Sequence, residues 1–453
     1  MRGSRLADRW GERMPRSVSL LQTVALSVGV TIGSGIFRVP ATVAGQLQLP
    51  GPILLCWVIG GVVALCGALS VAELAGALPR SGGVFAYLLE AYGPLPAFLF
   101  GWTELAVIRA AALGATATIV AEYLGYFWPL DAGAVRRWAA LAIAVIGLIN
   151  YLGVQRAAAL QSAATALKYA ALVALGLLAF TAAGGSAAHF SHPWVGGVSL
   201  SLLATALVPV MWTYDGWADP ASMAGEIADP QRTLPRALIA GAVCVMLVYL
   251  LVNVGFLYAL APADMAASRL IASTVAQRVP LLGHAGAGAI AGAVVIAAFS
   301  GLNGSMMTDP RIIYGMADRG LFFRPVARVS PRFKSPSVAI GLSAALGCLY
   351  VLQNDFAQLA DRFILGEWPF YAASVAGVFV LRHRRPEMPR PYRVWGYPLL
   401  PALFLLASLA LIGNALVTDP RDTGITLLTI AVGFPAYAIW KWLDRRRRAQ
   451  ASD

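Results

Sequence analysis

About twelve apolar runs, each near twenty residues, follow one another along this 453-residue chain. No other feature restricts its fold as much. A run of that length crosses the hydrocarbon of a bilayer as one α-helix. Lipid offers the backbone no hydrogen-bond partner, so each run must bond its own amides internally. The chain is 58% hydrophobic and only 12% charged, about half the charge of a soluble domain. The expected fold class is therefore an all-α integral membrane protein of about twelve transmembrane helices. The expected spans are 18–46, 53–78, 94–121, 138–154, 162–183, 199–224, 237–260, 285–308, 337–352, 358–381, 398–417 and 424–442. The segment 309–336 is basic and is expected to carry an amphipathic helix. No stretch reads as a separate soluble domain. The organisation is a cytoplasmic N-terminal segment (1–17), a transmembrane domain (18–442) and a basic cytoplasmic tail (443–453).

The formal net charge of +12 would point a soluble chain toward nucleic acid. In a polytopic chain Lys and Arg instead sort to the cytoplasmic loops. With the N-terminus placed inside, twenty-five of them fall on the cytoplasmic side and five on the other. That imbalance predicts both termini inside, an even number of spans and a multi-pass protein of the cell (inner) membrane, with no nucleic-acid partner. The N-terminal arginines precede the first span without a signal-cleavage pattern, so this segment is expected to be retained. The Arg445–Arg448 cluster is a topology anchor positioned to meet anionic membrane lipid. Cys56, Cys66, Cys244 and Cys348 lie in apolar runs and read as small buried hydrophobes. No Cys/His cluster has metal-ligand spacing, so neither metal nor cofactor is expected. The histidines at 189, 192, 284 and 383 sit in loops or at a span edge, which disfavours a membrane enzyme.

Two spans are interrupted. The first is broken at Thr31-Ile32-Gly33-Ser34-Gly35-Ile36-Phe37, where each glycine costs a helix interior roughly 1 kcal/mol relative to alanine. The other is broken at Trp212-Thr213-Tyr214-Asp215-Gly216-Trp217, with an acid in mid-span. Unwound backbone at membrane depth is tolerated only where it is buried in protein or lines a cavity. Each interruption opens a group of five spans, 18–183 and then 199–381, with two extra helices at 398–442. An odd number of spans per group turns the second group upside down relative to the first. Inverted repeats with broken helices are the plan of many secondary transporters.

The chemistry of such breaks is that of freed peptide groups. At the first, the N–H groups of Gly33, Ser34 and Gly35 and the Ser34 hydroxyl would suit a carboxylate. The carbonyls of Val30, Thr31 and Ile32 would suit an ammonium, so the pair fits a zwitterion. The competing reading is a glycine-rich packing face, and the second break tips the balance toward a site. There, carbonyls of Trp212, Thr213 and Asp215 could share the ammonium, with Tyr214 and Gly216 beside them. Trp212 and Trp217 could close over it as an aromatic gate, or simply pack. Lys168, an ammonium in mid-membrane, needs carbonyls or a carboxylate. Glu104 and Arg109 stand about 140° apart around an α-helix and are not expected to pair. Asn303, Ser305, Tyr371 and Asp219 are further polar groups for a pocket or for interhelical hydrogen bonds.

Gly33-Ser34-Gly35-Ile36-Phe37 resembles the first-span signature of the amino acid–polyamine–organocation (APC) superfamily. Trp212 through Trp217 is similar to the sixth-span motif of its L-type amino-acid exchangers and their bacterial relatives. The same holds for Pro79-Arg80-Ser81-Gly82-Gly83, for Asp229 through Arg236, for Ala317 through Phe322 and for Gly366-Glu367-Trp368-Pro369-Phe370-Tyr371. The resemblance covers nearly the whole chain. It implies a LeuT-like 5+5 inverted repeat with helices 1 and 6 broken, and a small-molecule amino-acid substrate. Its carboxylate would lie on Ser34 and Gly35, and its amine on carbonyls of Thr31, Trp212 and Asp215. The family usually has Phe where this chain has Trp212, which implies a smaller side-chain pocket. In sodium-independent members a span 5 lysine, here Lys168, stands where sodium-coupled members hold a cation. The implied activity is sodium-independent exchange or facilitated diffusion of neutral amino acids, with proton-coupled symport as the alternative.

Overall fold

The computed structural model describes residues 18–450 apart from 80–81, 153–167, 192–196, 225–226, 319, 331 and 334. The N-terminal segment, Arg80 and Ser81, the first residues of the fifth expected span, and Arg319 thus lie outside the described residues. Among the described residues the protein is all helical; the sole β feature is an isolated bridge between Val18 and Ile227.

Among the described residues eight helices are long and apolar enough to cross a membrane. Two of the expected spans are delivered in pieces. In the first, α1 (Leu20–Thr31) is followed by a tight turn at Gly35–Phe37 and by α2 (Val39–Leu47). The next helices are α3 (Pro50–Ala77), α4 (Gly83–Tyr92), α5 (Pro94–Leu124), α6 (Ala132–Tyr151) and α7 (Lys168–Thr181). The sixth span is α8 (Leu200–Tyr214) followed by a short turn of helix at Asp219–Met223. Then come α9 (Pro230–Ala259), α10 (Pro262–Ala267), α11 (Ile271–Arg278), α12 (Gly283–Asp318), α13 (Ser337–Gln353), α14 (Phe356–Arg384), α15 (Leu399–Thr418) and α16 (Pro420–Gln450).

Local sequence explains the ends. A capping box starts α1: the Ser19 hydroxyl accepts from the Gln22 N–H, and the Gln22 side chain accepts from the Ser19 N–H at 2.8 Å. Pro40 occupies the first turn of α2, where its missing N–H costs nothing. In α5 the residues Glu104–Ile108 form a π-helical turn, which changes the register of everything after it. The amphipathic helix expected after the eighth span is not separate: α12 runs on to Asp318 through Pro310.

Burial follows the expectation for a bundle in lipid. Leu406, Leu409 and Leu428, on the two last helices, are each more than 60% exposed, because those helices face outward with few protein neighbours. Cys244 is exposed on α9, whereas Cys56 and Cys66 are buried as expected. An apolar run in a membrane protein does not imply burial in protein, and Cys244 sits on the outer side of its helix.

Candidate functional site

At the first break the last ordinary helical bond runs from the Ile32 N–H to the Val28 carbonyl, 2.9 Å. Ile32 then leaves the helical region, with ψ at 80°. In a continued helix Gly33 would donate to Gly29. Its N–H turns instead to the Thr31 carbonyl at 2.7 Å. The expectation that Gly33 offers a free donor is therefore corrected: a short local turn uses it. The turn at Gly35–Phe37 closes with bonds from Phe37 to Ser34 (3.1 Å) and from Arg38 to Gly35 (2.9 Å). The N–H groups of Gly35 and Ile36 precede these closing bonds and have no partner within the turn.

The Gly29 carbonyl, stripped of its helical donor, is taken by Lys168: Nζ donates to it at 2.9 Å. Lys168 is 2% exposed, and among the described residues no carboxylate lies within ion-pair distance of it. A buried ammonium and an orphaned carbonyl thus satisfy each other.

At the second break α8 ends at Tyr214, Asp215 is extended (φ −64°, ψ 161°) and Gly216 has φ +98°. A side chain resists that φ, and glycine does not. The two breaks touch. A Cβ placed on Gly216 would lie 3.2 Å from the N and Cα atoms of Thr31. One on Gly35 would lie 2.8 Å from the Trp212 ring and 2.9 Å from the Thr213 hydroxyl. Tyr249 of α9 joins them: its hydroxyl lies 2.9 Å from the Thr31 carbonyl and 3.0 Å from the Thr213 carbonyl. Those are two of the carbonyls expected to receive an ammonium. Sequence reasoning missed Tyr249. The available signal was a hydroxyl in mid-span, which lipid does not satisfy.

Of the aromatic pair, Trp212 is half-buried beside the break and meets Phe356 edge-on at 5.3 Å. Over Phe356 lies the Arg38 guanidinium, itself paired with Glu122 at 2.9 Å. Trp217 is 1% exposed and packs against Tyr371 and Phe404 with its edge over Gly67. In this arrangement Trp217 is a buried packing residue. Tyr214 also faces the core, donating to the Trp57 carbonyl at 3.1 Å. Asn303 accepts a hydrogen bond from Asn150 of α6 at 2.9 Å, holding two helices together.

Beside the breaks opens a cavity lined by Val30, Ala218 and Asp219 among others. Its floor is ionic. Arg109 donates to both oxygens of Glu104, at 2.5 and 3.1 Å, and approaches Asp309 at 3.4 Å and Glu367 at 4.0 Å. This overturns the expectation that Glu104 and Arg109 point apart. The π-helical turn between them adds a residue to the repeat, so positions five apart line up. The Tyr371 hydroxyl donates to Asp215 Oδ1 at 3.1 Å, tying the second break to this cluster.

Two short half-helices meeting end to end beside a polar cavity suit a small dipolar solute. The comparison with known proteins decides the class: residues 18–435 match the family model described as "Amino acid permease". The chain belongs to that family. The permease is similar to "Serine/threonine exchanger SteT" of Bacillus subtilis (strain 168), with 28% identity over 94% of this chain and 96% of that one. It is 30% identical to the human "b(0,+)-type amino acid transporter 1", over 90% of this chain and 84% of the other. It is 29% identical to the human "Cystine/glutamate transporter", over 96% and 87%. The permease is thus an amino-acid transporter rather than an enzyme.

Proposed function

We propose that this permease moves neutral amino acids across the cell membrane by alternating access, without sodium, as an exchanger or facilitator. The substrate carboxylate lies on the amides of Ser34, Gly35 and Ile36, and its ammonium on carbonyls at Thr31, Trp212 and Asp215. Trp212 closes over the side chain. The proposal includes a LeuT-like pair of inverted five-helix repeats, with both termini in the cytoplasm. The observation that carries it is the meeting of two interrupted helices, Gly216 against Thr31, with one tyrosine hydroxyl between their end carbonyls. Lys168 on the Gly29 carbonyl supports the sodium-independent reading, because a fixed charge there does what a bound cation would otherwise do.

Two measurements test it. A thermal-shift panel of the purified protein against the common amino acids should show stabilisation by a subset, since a ligand of the folded state raises its melting temperature. Proteoliposomes loaded with that amino acid should take up labelled substrate faster than empty ones, with no response to sodium. Uptake that requires a sodium gradient refutes the reading, as does a panel without a single stabilising amino acid. Gly33→Leu or Ser34→Leu should abolish uptake while the protein still inserts.

A further inference from the structure

Among the described residues the ionic floor of the cavity is out of balance. Among the lining residues four carboxyl groups, those of Glu104, Asp219, Asp309 and Glu367, face one guanidinium, that of Arg109. Glu104 takes two of the Arg109 donors and alone matches its charge. Asp309 and Glu367 are 4% and 2% exposed, and each keeps one buried oxygen, Oδ2 and Oε2, without a hydrogen-bond partner. A bare carboxylate oxygen in a dry interior costs several kcal/mol, so these two sites call for a positive occupant. Among the described residues no three acids, histidines or cysteines are grouped so as to hold a metal ion.

We infer that the carboxyl cluster around Arg109 is a proton-binding site, filled as the cavity closes on its substrate and emptied as it reopens. This rests on the transport reading above and adds to it the ion that accompanies closure. Helix α5 gives Glu104 and Arg109, α12 gives Asp309, and α14 gives Glu367 and Tyr371. The second break gives Asp219 and, through Tyr371, Asp215. Among the described residues these are the titratable and charged groups that line the site or reach it through one hydrogen bond. While the cavity is wet, water shields the excess negative charge. Closure removes that water and strengthens the repulsion. A hydronium ion or buffer acid then gives up its proton, and an O–H bond forms on the unpartnered oxygen of Asp309 or Glu367. On reopening the same bond breaks and the proton returns to water. In one-for-one exchange the proton makes the round trip with no net movement, so exchange speeds up as pH falls without being driven by a proton gradient.

The test has two arms on the purified full-length protein. Infrared difference spectra between about pH 8 and about pH 5, a range that brackets carboxyl protonation from above, should show a protonated-carboxyl band. That band should be lost or weakened in Glu367→Gln and Asp309→Asn. Exchange in proteoliposomes, with pH equal on both sides, should rise severalfold for the wild type as pH falls. Each amide variant should lose that dependence whatever its absolute rate. Variants that keep both the wild-type band and the wild-type pH profile overturn the inference, and so does exchange that follows sodium or potassium in place of pH. If the wild type shows no uptake yet the band disappears in the variants, the proton site stands and the transport reading fails. If uptake is robust and the band is untouched, the reverse holds.

Discussion

Gly216→Ala should force the two helix breaks apart. The residue has φ +98°, a conformation that costs an L side chain about 1–3 kcal/mol. The new methyl would also sit 3.0 Å from Val30 Cγ1 and 3.2 Å from the N and Cα atoms of Thr31. Backbone cannot rotate away as a side-chain tip does, so overpacking adds about 1–3 kcal/mol. The total is about 2–6 kcal/mol. If half of the lower figure and no more falls on the substrate-bound geometry, affinity drops severalfold; at the upper figure the loss exceeds a hundredfold, at about 1.4 kcal/mol per factor of ten. The assay is half-saturation of uptake in proteoliposomes, read beside thermal unfolding in detergent. Gly413→Ala is the control: it lies within α15 with nothing within 4 Å of a Cβ, so stability should stay level or rise by up to about 1 kcal/mol. Adding Val30→Ala to Gly216→Ala should restore only part of the loss, because the Thr31 backbone contact remains. A Gly216→Ala protein that melts and transports like the wild type would refute the close contact between the breaks.

Tyr249→Phe removes the hydroxyl shared by the Thr31 and Thr213 carbonyls, and should lower stability by about 1–3 kcal/mol; unchanged thermal unfolding would show that no bridge exists. Lys168→Met keeps the stem and deletes the donor to Gly29, so uptake should fall at least about tenfold, a transition-state loss of about 1.4 kcal/mol. Normal uptake by that variant would separate the lysine from the break. Glu104→Gln leaves Arg109 without its bidentate partner, and breaking a buried pair costs about 3–5 kcal/mol. The protein should unfold at markedly lower temperature in detergent, and an unaltered melting curve would mean that Asp309 and Glu367 suffice for Arg109.

The places where the chain leaves the helix were legible in the sequence because they are expensive: paired glycines and a mid-span aspartate have no ordinary use inside an apolar run. What fills the freed groups was legible only in part. Lys168 stood out as a charge in lipid, and it does meet the backbone of α1. Tyr249 did not stand out, because one hydroxyl in a long apolar run looks like any interhelical hydrogen bond. Glu104 and Arg109 were misjudged for a geometric reason. The angle between two positions assumes 3.6 residues per turn, and a π-helical turn breaks that assumption without a sequence mark. Asp309 and Glu367 join the same cluster from helices some 200 and 260 residues further along, a distance over which no local pattern reports. Trp217 illustrates the converse: it belongs to the same motif as Trp212, yet beyond the bend at Gly216, with φ +98°, its ring lies in the core. One rule accounts for both the successes and the omissions. In lipid each freed peptide group must find a partner, so a sequence can reveal where such groups arise, while the identity of the partner depends on which distant side chain the bundle brings within about 3 Å. The sharpest check of that rule is the Gly29 carbonyl. It loses its helical donor only because Gly33 turns to Thr31, so any substitution that restores a continuous helix through residue 33 should release Lys168 as well.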